Sequence, residues 1–224
     1  MSSDRYSVTQ QAELITDPDE KARREAENGL RQFRMAMDVV RTHVHDPERP
    51  FSLRQSLLFE QNKICLDGLH LLAGTYRNGP TEIKGSKHVP PEPFLVPDKV
   101  QEMCEYVNSN WKSKSAIHLG AYILWRLNWI HPFADGNGRT SRMVSYIVLC
   151  IKLNSILPGT NTVPDQISKN KGPYYDALEA ADSASDDYSG TVDVRALEEL
   201  LESRLARQLA DAADEASSVS DFRE

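Results

Sequence analysis

Within twelve positions, His131 to Arg142, the chain gathers a histidine, an aspartate, two glycines, an asparagine and two arginines. Such a polar, glycine-containing loop is shaped for a phosphate. Gly136 and Gly138 permit backbone conformations that turn successive N–H groups inward. A helix that follows offers its unpaired amides and the positive end of its dipole. Arg139 and Arg142 stand three apart in its first turn, on neighbouring faces, and their guanidinium forks match phosphate oxygens. Arginine at a helix N-terminus opposes the dipole, so the pair is unfavourable there until an anion arrives. Asp135 beside these cations reads as a Mg2+ ligand, because magnesium takes one or two carboxylates and completes its shell with substrate phosphates. His131 is the group of the loop that accepts a proton near neutral pH. Singly, each residue has a plain structural use as a cap, a turn or a surface ion pair. Together they describe a site for polyphosphate chemistry.

The loop lies between two strongly apolar helical patterns, Ser115 to Ile130 and Thr140 to Leu153, the second being the expected central helix of the core. Pro132, Gly136 and Gly138 keep the intervening residues from continuing the first helix. Upstream, Asp17-Pro18 opens a helix to about His43, with Leu30, Phe33, Met37 and Val40 at helical spacing. Asp46 to Pro50 breaks it, and Ser52 to His70 and Asp98 to Asn110 are further helical patterns. Between them, Gly74 to Pro97 holds a short alternating segment among turn residues and prolines, which predicts a small β-hairpin with an extended return. Downstream, helices are expected over Tyr174 to Ala184 and Thr191 to Ala213, with Asp214 to Glu224 fraying. The fold class expected is mainly α with one small hairpin. Three parts are expected: an N-terminal helical segment over 1–49, the principal domain over 50–201, and a helix end with a frayed tail over 202–224.

Composition narrows the class without naming an activity. The 224 residues carry 33 acidic and 26 basic side chains, a formal charge of −7, and 40 % hydrophobic residues. That length suits one domain with a sizeable core and room for an appendage. An acidic chain without a basic stripe is a poor nucleic-acid partner. No run approaches the roughly 20 apolar residues of a membrane helix, so neither nucleic acid nor membrane is an expected partner. The first residues lack the order of a secretory signal. Cys65, Cys104 and Cys150 are odd in number, widely spaced and in apolar surroundings, which fits reduced core thiols and a cytoplasmic location.

The loop resembles the signature of Fic (Fido-fold) proteins, HxFx[D/E]GNGRxxR, at every specified position from His131 to Arg142. Leu69-His70, Gly74-Thr75-Tyr76-Arg77, His88-Val89-Pro90-Pro91 and Tyr174 to Leu178 recur in such proteins in this order, so the resemblance covers roughly residues 50 to 200. It implies a Fido-fold helical domain that transfers AMP from ATP to a Ser, Thr or Tyr hydroxyl of a target protein, releasing pyrophosphate. His131 would then be the general base and Asp135 the Mg2+ ligand. Asn137 and the amides around Gly136 and Gly138 would cradle the phosphates, while Arg139 and Arg142 hold the outer ones. Phe133 would anchor the loop inward, and Tyr174 and Tyr175 are candidates for the adenine pocket. Thr81, Glu82, Ile83, Lys84 and Gly85 match the family's flap, a hairpin that docks the target backbone as an added strand.

One subgroup of the family carries an inhibitory helix with the motif [S/T]xxxE[G/N]. Here Glu27-Asn28 offers its end, with Arg23 departing at the Ser/Thr position, so Glu27 is expected to pair with Arg142 and silence the isolated protein. Other activities of the fold stay open, namely removal of AMP, phosphocholine transfer and phosphorylation, although Gly138 speaks against the phosphorylating branch. A non-catalytic nucleotide-sensing regulator is a further alternative, against which the complete set of base, metal ligand and arginines argues. Metal-dependent hydrolysis is weaker still, for want of further ligands. A homo-oligomer through the C-terminal helix is left open.

Overall fold

The structure, a computed structural model, describes residues 5–8, 14–44, 46, 48–186 and 190–220. In chain order it forms β1 (Tyr6–Val8), α1 (Pro18–Val44), α2 (Gln55–Cys65), β2 (Glu82–Lys84), a 3-10 turn at Pro93–Leu95, α3 (Val96–Ser109), α4 (Ala116–Ile130) and α5 (Asn137–Lys152). α6 (Val163–Lys169), α7 (Gly172–Ala184) and α8 (Arg195–Ser220) follow. The mainly helical class read from periodicity is the class found. No helix among the described residues is long and apolar enough to cross a membrane.

α4 and α5 form the centre, antiparallel neighbours on either side of the polar loop. Along α4, Leu119, Ile123, Leu124, Leu127 and Ile130 are fully buried, and along α5 so are Val144, Ile147, Val148 and Leu149. Helices apolar on nearly all sides need cover on several faces. α1 and α2 cover α5 from one flank, while α3, α7 and α8 pack against α4. Each fully buried aliphatic side chain contributes about 1.5–3 kcal/mol of transfer free energy, so the loop between α4 and α5 hangs from the most strongly held part of the molecule. Ser115 starts α4 by accepting the His118 N–H at 3.0 Å. The three cysteines are free and buried, as expected.

Several boundaries differ from the sequence reading. α2 stops at Cys65 rather than His70, because Gly68 takes a positive φ (72°) and turns the chain back. α6 was not expected, although Thr162 caps it from the Asp165 N–H (3.4 Å) with Pro164 in its first turn. α8 continues through Ser220, past the point where fraying was expected. Asn161 holds Asp211 and Thr160 holds Glu215 there, while Gly159 leaves room for Ala212, whose Cβ lies 3.0 Å from where a Gly159 Cβ would stand. Residues 221–224 lie outside the described residues.

The expected hairpin within Gly74–Pro97 is not formed. That segment holds one strand, β2, whose antiparallel partner is β1, with Tyr6 opposite Lys84, Ser7 opposite Ile83 and Val8 opposite Glu82. The return leg contains Pro90, Pro91 and Pro93, which have no N–H to give to a ladder. A strand from the beginning of the chain takes that place.

Candidate active site

The site begins where α4 ends. His131 has a left-handed backbone (φ 50°), a conformation that costs a non-glycine residue on the order of 1 kcal/mol. Its N–H still donates to the Leu127 carbonyl (3.0 Å), and its own carbonyl accepts from Nε of Arg77 (2.8 Å). Arg77 is only 3 % exposed and also donates to the carbonyls of Gly79 and Pro91. One guanidinium thus ties the strained corner to the chain leaving and re-entering the β2 region. Nε2 of His88 donates to the Trp129 carbonyl (2.7 Å) and adds a second tie.

The His131 ring is buried against a cleft of about 820 Å³. Its Nδ1–H donates to the Asn128 carbonyl at 3.3 Å, which leaves the lone pair on Nε2. Burial pushes its pKa from 6.5 down to about 4, and the charges of Arg77 and His88 act in the same direction. The imidazole is therefore neutral at physiological pH, the state a proton acceptor requires.

The loop that follows is held from inside. Phe133 is fully buried between the rings of Phe59 and Tyr76, at centroid distances of 6.3 and 6.1 Å, so it anchors the loop as expected. Asn137 lines the cleft and also ties the loop together. Its Oδ1 accepts the Phe133 N–H (2.9 Å) and its Nδ2 donates to the Phe133 carbonyl (2.8 Å). Both ends of the amide help close the loop, so the side chain holds the cradle's shape. Asn62, fully buried on α2, does comparable work: Nδ2 donates to the Asp135 carbonyl (3.0 Å) and Oδ1 accepts the Gly74 N–H (3.0 Å).

The two glycines have different reasons. Gly136 needs its positive φ (75°), and a Cβ there would stand 3.0 Å from Nδ2 of Asn62. Gly138 is not among the residues with positive φ, contrary to the conformational role expected of it; it leaves space for Arg142, whose Nη1 would lie 3.2 Å from an added Cβ. No side chain among the described residues caps α5, and Gly136, Asn137 and Gly138, which open it, line the cleft. Their amides supply the unpaired donors that suit a phosphate.

The arginines are not equivalent. Arg139 is paired with Asp135 (2.9 Å) and with Glu25 of α1 (3.2 Å). Arg142 lines the cleft with no carboxylate in ion-pair range among the described residues, and burial pushes its pKa down. Glu27, expected on Arg142, is a correction: its side chain is 68 % exposed and its ion pair is with Arg24, at 3.8 Å. Two residues along a helix turn about 200°, so Glu25, not Glu27, faces the cleft.

Asp135 stands half-exposed at the cleft wall. Among the described residues no cluster of three His, Cys, Asp or Glu could hold a metal by itself. One carboxylate beside phosphate-binding groups is the donor set that suits Mg2+ shared with a nucleotide, rather than an all-protein site.

Tyr174 and Tyr175 both line the cleft, on different terms. Tyr174 is 1 % exposed, with its hydroxyl accepting from Nδ2 of Asn128 (2.8 Å), and serves the core as much as the site. Tyr175 is partly buried and carries the Arg5 guanidinium 4.4 Å over its ring. Of the residues expected in a flap, Ile83 lines the cleft, Glu82 and Lys84 pair with each other at 2.7 Å, Thr81 Oγ1 is buried without a partner among the described residues, and Gly85 turns the chain (φ 78°). Asn62, Asn128 and Glu25 carried no spacing signal; Arg77 stood in a recurring segment but with no role.

Residues 50–149 match the model of the Fic/DOC family. A protein adenylyltransferase Fic of Drosophila persimilis is 33 % identical over 110 residues, which are 48 % of this chain and 20 % of that protein. The chain thus spans about a fifth of its relative's length. Among solved structures, Fic-1 of C. elegans superposes with a TM-score of 0.66 at 14 % identity, covering 92 % of this chain and 56 % of that one. A Fic domain-containing signaling protein of Bacteroides thetaiotaomicron gives 0.66 at 21 % identity, covering 83 % and 71 %. At such identities the superpositions speak for the fold.

Proposed function

We propose that the chain, whose residues 50–149 match the model of the Fic/DOC family, is a protein adenylyltransferase, moving AMP from ATP to a hydroxyl of a target protein. The observation that carries this reading is a neutral imidazole together with an arginine that no carboxylate among the described residues neutralises, both on one cleft at the start of α5. In the reaction, Nε2 of His131 takes the hydroxyl proton as that oxygen attacks the α-phosphorus, and pyrophosphate leaves. Arg77 and the Asn128 carbonyl hold the ring in the correct tautomer and aim. The α5 amides and Arg142 bind phosphate oxygens, so charge is met by groups already in place. Asp135 is the residue that would hold Mg2+, whose contribution there is to neutralise phosphate charge.

ATP labelled at the α-phosphate should leave its label on protein, whereas γ-labelled ATP should not. In His131→Ala the α-label should fall by at least about 10²-fold, the scale of a lost general base, with ATP binding retained. Transfer of the γ-label, or full α-labelling by His131→Ala, would overturn the proposal.

Regulation from α1 runs, on the same reading, through Glu25. Its pair with Arg139 and the Asp135–Arg139 pair occupy a cation that the outer phosphates need. Glu25→Gly should bind ATP more tightly and label faster than the parent, while Glu27→Gly should match the parent. The reverse ranking would remove Glu25 from the account.

A further inference from the structure

Building on that reading of the cleft, we infer that β2 and α7 form a docking site for an extended segment bearing arginine, and that residues 5–8 of the chain are its resident occupant. The ladder between β1 and β2 is three residues long, and so short a two-stranded ribbon is marginal in water. A second anchor is on the page. The Arg5 backbone N–H donates to Oη of Tyr175 (3.3 Å), its guanidinium stacks on the Tyr175 ring, and its Nη2 pairs with the Glu179 carboxylate. The Arg5 side chain is 12 % exposed although Glu179 is 49 % exposed, so the cation is sunk into the site rather than laid on it. The Arg5 charge also acts on Asp182, which Trp125 fixes through a 2.8 Å hydrogen bond.

An aromatic face with a carboxylate at its edge is a receptor for a guanidinium, and lysine, a point charge without a stacking plane, fits it less well. Strand addition by itself reads backbone and is nearly blind to sequence. The receptor on α7 adds the missing selection, one residue before the position that meets Lys84. Arg5, Tyr175, Ile83 and His131 all line one cleft, so a segment docked this way runs beside the imidazole. A protein target must then present an extended segment with arginine in that register and displace residues 5–8, which compete at the high effective concentration of a tethered ligand.

The test is binding of a fluorescein-labelled peptide with the sequence of residues 4–10 to the full-length chain, followed by anisotropy without nucleotide. Adjacent strand residues point their N–H groups to opposite edges, so Ser7→Pro/Val8→Pro removes a ladder donor whichever parity holds. That variant should bind the peptide at least about tenfold more tightly than the parent and exchange its amides at 82–84 faster. A peptide with alanine for Arg5 should lose on the order of tenfold, the scale of one charge-assisted hydrogen bond. Glu179→Ala in the proline variant should erase the difference between the two peptides. Equal binding by parent and proline variant, equal binding of the two peptides, or no binding to the proline variant would each overturn the inference. None of these readouts uses AMP transfer, so a silent enzyme and an absent docking site give different results.

Discussion

His131 shows how one side chain acquires a function from its surroundings. A solvent-exposed histidine titrates near neutrality; this one, sealed under the cleft wall, is held neutral down to about pH 4. The same shift is a statement about stability. The folded ring binds its proton only near pH 4, while the unfolded chain binds it near 6.5, so the unfolded state holds more protons between those values and stability falls as pH falls. The loss, complete below pH 4, amounts to about 3 kcal/mol for this group. Denaturant titrations from pH 7 to 4 should show a decline that is shallower in His131→Gln; parallel curves would mean that the ring is not sealed. Arg142 is the counterpart, a cation in a poorly solvated place with no carboxylate beside it among the described residues. Such a group is tolerated where an anion is expected to arrive.

At the scale of elements, the first turn of α5 does the work, and its two glycines separate shape from space. Gly136→Ala places a Cβ 3.0 Å from Asn62 in a backbone conformation that L side chains rarely adopt. It should lower stability by about 1–2 kcal/mol. Gly138→Ala replaces a helical glycine, which by itself favours the helix by roughly 0.5–1 kcal/mol, yet its Cβ presses on Arg142. Thermal melts should therefore drop for the first variant and hold or rise for the second, while ATP binding weakens in both. The reading of α5 fails if Gly138→Ala leaves nucleotide affinity intact. Asn137 belongs here too. Its side chain, expected on the phosphates, bonds both the N–H and the carbonyl of Phe133, which meets the local demand of a buried amide for a donor and an acceptor.

Across the whole molecule, Arg77 couples parts that are far apart in the chain: the corner at His131, the chain at Gly79 and the turn at Pro91. Arg77→Met should strand three carbonyls in a mostly buried place and cost about 2–4 kcal/mol, with labelling falling further than the lost folded fraction explains. If labelling per folded molecule is unchanged, Arg77 is a structural tie only. Much of the molecule could be read without coordinates. The helices around the core followed from apolar spacing, and the residues from His131 to Arg142 announced phosphate chemistry because glycines, arginines, an aspartate and a histidine serve few other purposes together. What could not be read were contacts between segments distant in sequence. Periodicity says that α1 has two faces but not which one meets Arg139, so the motif pointed to Glu27 although Glu25 is the residue that reaches the cleft. Backbone hydrogen bonds carry no residue code, so the partner of β2 was sought nearby and found at the other end of the chain. Local pattern reports what a segment can be, because helix and turn propensities act within a few residues. Which buried group meets which is settled only when the core closes, because burial and pairing are properties of the packed whole.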